Sequence, residues 1–204
     1  MEENKKAQHA KEDRKTLYYA SLFSGLIWLI LGSLILYYFQ EKTLFSLLSD
    51  QENLMLQLTA GAIFGLILGA VAVLLIRHPA YRHILKDYAI IRQIQEFSLT
   101  PVLIFFISII AGITEEILFR AAIQPLLGVW ITSLIFIAIH GYIRFKSANH
   151  FLFTLFTFVL SMVLGLLTLH LGVVSSMAAH AIYDVIVLFG IQRFIISGAE
   201  SLTG

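Results

Sequence analysis

Ionisable side chains interrupt the otherwise apolar second half of this 204-residue chain at spacings that suit catalysis. One cluster is Thr114-Glu115-Glu116-Ile117-Leu118-Phe119-Arg120, and a second is Ser176, His180 and Asp184 at four-residue intervals. Between them, Phe136 and His140 are also four apart and so share a helix face. Glu116 and Arg120 stand at i and i+4, with the acid N-terminal, the better orientation for a helical ion pair. Glu115 points about 100° away from Glu116 and lacks that partner. A lone carboxylate in a low-dielectric site is a better base than one in water, which suits proton abstraction from water. Two imidazoles and an acid from other helices, His140, His180 and Asp184, could converge on Glu115. Each residue also has a plainer use: the acids and Arg120 as an interhelical polar network, each histidine as an interhelical hydrogen bonder, Asp184 as the group that orients His180. Together they make a site of two histidines and two or three carboxylates.

The elements that must position these groups are membrane helices. The chain is 58% hydrophobic and 13% charged, with a mean hydropathy of +0.84. Each charged group at the centre of a bilayer helix costs roughly 2.5–3.5 kcal/mol, so the polar clusters should face a protein-lined cavity. The fold class expected is all-α, a polytopic transmembrane bundle of about six spans plus one interfacial helix. Residues 17–39 carry no charge and would rise about 34 Å, enough to cross the hydrocarbon core. Residues 54–76 form a second span, with Gly61, Gly65 and Gly69 on one stripe for close helix packing. Residues 77–97 place Ile84, Leu85, Tyr88, Ile91 and Ile94 on one face, as in an amphipathic helix lying at the interface. Four more spans follow at about 100–123, 125–142, 150–171 and 172–194.

With six spans, every Lys and Arg except Lys42 and the intramembrane Arg120 falls on one side, so positive-inside places both termini in the cytoplasm of a multi-pass cell-membrane protein. The organisation expected is a polar cytoplasmic tail over 1–16, two spans and the interfacial helix over 17–97, a core over 98–196, and a tail over 197–204. The first residues are expected to be mobile, and signal-peptide cleavage is disfavoured because the first apolar run is too long and lacks an A-x-A site. With a net charge of +1 and the basic residues in short segments between apolar runs, nothing suggests a nucleic-acid surface, and the absence of cysteine excludes disulfides, thiolate metal ligands and thiol nucleophiles. His150 and His170 fall at span ends, where an interfacial role suffices, and His9, His78 and His83 lie in polar segments.

Glu-Glu-x-x-x-Arg at Glu115, Glu116 and Arg120, Phe-x-x-x-His at Phe136 and His140, and His-x-x-x-Asp at His180 and Asp184 occur in that order on successive spans. The set resembles the CPBP (CAAX protease and bacteriocin-processing, or Abi) family of intramembrane metalloproteases, which includes the type 2 CAAX prenyl endopeptidases. The resemblance covers about residues 100–194. Asp184 departs from the eukaryotic prenyl-protein enzymes, which usually carry Asn there, and matches a variant associated with bacterial members.

The resemblance implies an endopeptidase that hydrolyses a peptide bond of a membrane-associated protein or peptide. Glu115 and His140 would activate a water, Glu116 and Arg120 would hold the helix and tune Glu115, and His180 and Asp184 would stabilise the oxyanion or bind a metal. His140, His180 and Asp184 are ligand types that a catalytic zinc uses, with Glu115 left as base, but H-E-x-x-H is absent. Without a metal, a neutral His180 could donate to the oxyanion, whereas an ionised Asp184 could only accept and would act by orienting it. Two other classes remain: a CPBP-family member that acts by binding, as a bacteriocin immunity factor or sensor-kinase modulator, and a small transporter or proton relay. One geometric conflict is built into these limits. Glu115 would lie roughly 22 Å from the cytoplasmic end of its span and His140 near that end of its own, so they meet only if a helix is broken or the limits shift.

Overall fold

The computed structural model describes residues 2–88, 91 and 99–196, and among these every regular element is helical. Helix α1 is Glu2–Gln40, α2 is Leu44–Ser49, α3 is Leu54–Arg77 and α4 is Pro79–Leu85. Helix α5, Pro101–Glu116, runs into a π-helical segment, Ile117–Ile123, and then into α6, Gln124–Ile139. Helices α7, Ala148–Leu171, and α8, Val173–Ile191, complete the bundle, with a second π segment at Gln192–Ile196. The polar start of the chain is helical: residues 2–16 contain neither Gly nor Pro and are rich in Lys and Glu, both good helix formers.

Among the described residues five stretches are long and apolar enough to cross a membrane, against the six spans expected, because residues 101–139 form one 39-residue stretch. Straight, it would reach about 58 Å, nearly twice the hydrocarbon thickness. It is not straight. Gly128 has φ 77° and ψ 166° inside α6, a region of backbone space open essentially to glycine alone. The chain reverses there, so Phe119 packs edge-on against Phe136 at 5.0 Å and the side chains of Glu115 and His140 come to 3.3 Å. The third and fourth predicted spans are thus the two arms of one hairpin. The returning arm is short, because Gly141 (φ 69°) stops the helix: Tyr142 N–H donates to Ile137 O at 2.9 Å and Gly141 N–H to Ala138 O at 3.0 Å, a Schellman closure. From Gly128 to the stop the arm rises only about 17 Å.

Glycines set the packing of the remaining helices. Gly61, Gly65 and Gly69 lie along α8, where a Cβ on Gly61 would overlap Ser175 O and one on Gly65 would sit 2.7 Å from Ala179 O. The stripe read from the sequence therefore joins α3 to α8. Helix α5 packs against the opposite side of α8 with Gly112 against Ala181, and α1 runs beside α5 and the π segment, with Gly25 on Ile110 and Gly32 on Leu118. At the far end, Gln40 Nε2 donates to the carbonyls of Ala121 and Ala122, which the π segment leaves available.

Within the region read as an interfacial helix, His78 caps a helix at Pro79 that ends at Leu85, and residues 89, 90 and 92–98 lie outside the described residues. Its apolar face is as read, with Ile84, Leu85, Tyr88 and Ile91 buried against Ile76 and Ile191. Ile94 lies outside the described residues, as does the 197–204 tail. Beyond α4, Asp87 accepts from His150 Nε2 at 3.0 Å, and this bond holds its carboxyl below the usual carboxylate range.

Two substitutions test this architecture. Gly65→Val should destabilise the α3–α8 contact by about 1–3 kcal/mol through overpacking. Gly128→Ala should cost about 1–3 kcal/mol through backbone strain alone, because a Cβ there meets nothing within 4 Å. Denaturant titration of the protein in detergent micelles, followed by circular dichroism, measures both.

Candidate functional site

Arg120 is the centre of the buried polar structure. It is 1% exposed, and its Nε donates to Glu116 Oε2 at 3.3 Å across one helical turn. Its NH2 donates to Ser161 Oγ of α7 at 2.7 Å, its NH1 to Ser133 Oγ of α6 at 3.5 Å, and its guanidinium lies over the Phe136 ring at 5.4 Å. Glu116 is wholly buried and accepts a second bond at 2.8 Å, from Nδ1 of His180 on α8. One ion pair thus ties α5, the π segment, α6, α7 and α8. The π segment begins one residue after Glu116, and such i→i+5 bulges occur chiefly at functional positions.

The second acid and the other imidazole face a cavity. Glu115 and His140 side chains are 13% and 15% exposed, and His140 Nε2 lies 3.3 Å from Glu115 Oε2. The contact is within reach but too poorly aligned to be a hydrogen bond, so Glu115 Oε2 is buried without one. His140 Nδ1 donates to Phe136 O at 2.7 Å, the tautomer that a carbonyl acceptor requires, which leaves Nε2 to the cavity. Asp184 is 25% exposed and lies 3.6 Å from His180 Nε2. Glu115, His140, His180 and Asp184 all line a cavity of about 420 Å³ that continues between α1, α3 and α7 to Tyr81, Leu85 and Ile91.

All six residues singled out by spacing therefore meet: Glu115, Glu116, Arg120, His140, His180 and Asp184. Glu116 does more than its spacing implied, because it joins Arg120 to His180. The hairpin resolves the depth conflict, since the arm from Gly128 stops short and holds His140 at the level of Glu115. Among the described residues no three His, Asp or Glu side chains are placed to hold one metal ion. His140, His180 and Asp184 lie instead in acid–imidazole contacts, so this arrangement is not a preassembled ligand set.

Sequence reading missed Ser133 and Ser161, which complete the Arg120 shell, and Gln124, whose Nε2 donates to Gly165 O at 3.0 Å. Their signal was present as uncharged polar residues in apolar spans; it is weak because Ser and Thr in such helices often bond only their own backbone.

Arg120→Ala should be strongly destabilising, by about 3–5 kcal/mol, because it strands a buried carboxylate. Ser161→Ala should cost about 1.5–3 kcal/mol through loss of a charged hydrogen bond. Unfolding midpoints in micelles distinguish the two.

Comparison with known proteins agrees with the motifs. Residues 97–186 match the family described as Type II CAAX prenyl endopeptidase Rce1-like. The family resemblance is borne out over that segment, which holds all six site residues. An uncharacterized protein of Bacillus subtilis (strain 168), YpbD, is 33% identical over 84 residues, which are 41% of this chain and 42% of that protein. The matched stretch thus spans less than half of that relative. No solved structure matches the chain.

Proposed function

We propose that this membrane protein, with a CAAX-protease-type segment at 97–186, is an intramembrane endopeptidase acting on a membrane-associated protein or peptide. The observation that carries the reading is the unpartnered Glu115 Oε2, facing His140 Nε2 at 3.3 Å on a cavity wall that is backed by the Glu116–Arg120 pair. A water in the cavity that hydrogen-bonds to both atoms has a carboxylate acceptor and an imidazole as its partners. Glu115 takes its proton, and the resulting hydroxide attacks the scissile carbonyl carbon, whose C=O electrons move to the oxygen.

With Glu116 on one nitrogen and Asp184 near the other, His180 is placed to carry protons on both and to offer Nε2–H to that oxyanion. The proton on Glu115 passes to the amide nitrogen, directly or through His140, as the C–N bond breaks. The carboxylate is thereby restored and the acid and amine products leave. Positive-inside places both termini, and the Tyr81–Leu85 end of the cavity, on the cytoplasmic side, so substrate would enter from there or from the adjoining bilayer.

Membranes of cells carrying the wild type and Glu115→Gln should differ in their peptide profiles. Cleavage of the substrate so identified should fall by at least 10²-fold in Glu115→Gln and in His140→Ala, with insertion and abundance unchanged. Identical profiles at equal abundance would overturn the hydrolase reading in favour of a binding protein.

A further inference from the structure

His140 does not stand alone in the cavity wall; two aromatic rings stack against it. Arg120 lies over Phe136 at 5.4 Å, Phe136 stacks on His140 with centroids 4.3 Å apart and planes at 27°, and His140 stacks on Tyr142 at 5.6 Å and 19°. Tyr142 is thus the second aromatic ring stacked on this imidazole. It is seated edge-on against Tyr88 at 6.2 Å and Phe153 at 5.8 Å.

The backbone of Tyr142 is fixed as firmly as its ring. Its N–H closes the Schellman turn on Ile137 O, and its carbonyl accepts from Thr154 Oγ1 of α7 at 2.7 Å. Thr154 Oγ1 in turn accepts from Arg144 N at 3.1 Å, so one side chain, 7% exposed, holds both sides of the loop. The loop is therefore a mount whose rigid product is the plane of one ring.

Among the described residues the one well-aligned hydrogen bond to the His140 side chain is Nδ1 to Phe136 O, and a single bond leaves an imidazole free to swing about it. Two parallel ring faces remove that freedom. We propose that Tyr142 is a positioning residue: its ring, together with that of Phe136, sets the imidazole plane so that Nε2 points at Glu115 Oε2. Its effect on catalysis rests on the hydrolase reading above, but its effect on His140 does not. The contribution belongs to the aromatic face and not to the phenol hydroxyl, which has no hydrogen-bond partner among the described residues.

The test compares Tyr142→Phe with Tyr142→Leu in the full-length protein in micelles. Imidazole ¹⁵N spectra of labelled protein are read at one fixed pH, with His140→Gln used to assign the signal. Tyr142→Phe should keep the His140 resonances of the wild type, and Tyr142→Leu should shift or broaden them. Thr154→Val, which frees the mount but keeps the ring, should shift them in the same direction by less. Against the substrate found by profiling, Tyr142→Leu should lower kcat by about 10–100-fold with KM little changed, and Tyr142→Phe should stay within about twofold of wild type.

An unchanged His140 spectrum in Tyr142→Leu overturns the proposal, as does a Tyr142→Phe defect equal to that of Tyr142→Leu, which would move the role to the hydroxyl. If Tyr142→Leu does not fold, Thr154→Val decides by the same spectrum, its shift supporting the proposal and its identity with wild type overturning it. The spectra are independent of turnover, so an inactive wild type would count against the hydrolase reading alone.

Discussion

A carboxylate and a guanidinium, both withdrawn from solvent, meet at Glu116 and Arg120, and the rest of the molecule is organised around the cost of keeping them there. Burying either charge alone costs several kcal/mol, and their mutual attraction offsets this only when the remaining donors and lone pairs are also satisfied. Ser133, Ser161, His180 and the face of Phe136 supply that satisfaction, and each comes from a different position in the bundle. The pair therefore constrains the relative placement of four helices at once. A shift of any of them would leave a charged group short of a partner in a medium without water to replace it. The site inherits its rigidity from this constraint: His180 is held by Glu116, and His140 is stacked on the ring that Arg120 covers.

The two acids of Glu115-Glu116 divide the work because adjacent helical residues point about 100° apart. Glu116 faces the protein and serves as an anchor. Glu115 faces the cavity, where a buried oxygen without a hydrogen bond is costly in a static scaffold and useful in one that must hold and deprotonate water. The same division separates the histidines. His180 is bonded at one nitrogen to the anchor, and His140 keeps Nε2 toward the reacting volume. Neighbouring residues in sequence, and similar residues in type, acquire different roles from the sides of the helices on which they lie.

The hairpin at Gly128 departs from the rule that membrane-spanning backbone is continuous helix. Broken helices are tolerated inside a membrane where the freed polar groups are buried in protein or line a cavity. Here the arm ends at Gly141, within reach of the cavity, and its last carbonyls are closed by the Gly141 and Tyr142 amides. The break is what allows His140 to reach the depth of Glu115.

Much of this was legible in the chain. Hydropathy and span length set the membrane class and the all-α fold, because hydrocarbon leaves the backbone few other ways to satisfy its hydrogen bonds. The adjacent Glu115 and Glu116, with the i, i+4 spacings of Glu116 and Arg120, of Phe136 and His140, and of His180 and Asp184, marked polar residues that do converge, since the cost of an intramembrane charge makes a polar group informative wherever it falls. The glycine stripe on α3 announced a close contact without naming α8 as its partner. Span count and depth were less legible: a 39-residue apolar stretch reads equally as two crossings or as one broken hairpin, because hydropathy averages over a single glycine. Tertiary structure alone decided that Glu116 links Arg120 to His180, that Ser161 and Ser133 complete the shell, and that Tyr142 stacks on His140. Those facts depend on which faces meet across 41 or 64 residues of chain, and local spacing carries no information about contacts at that range.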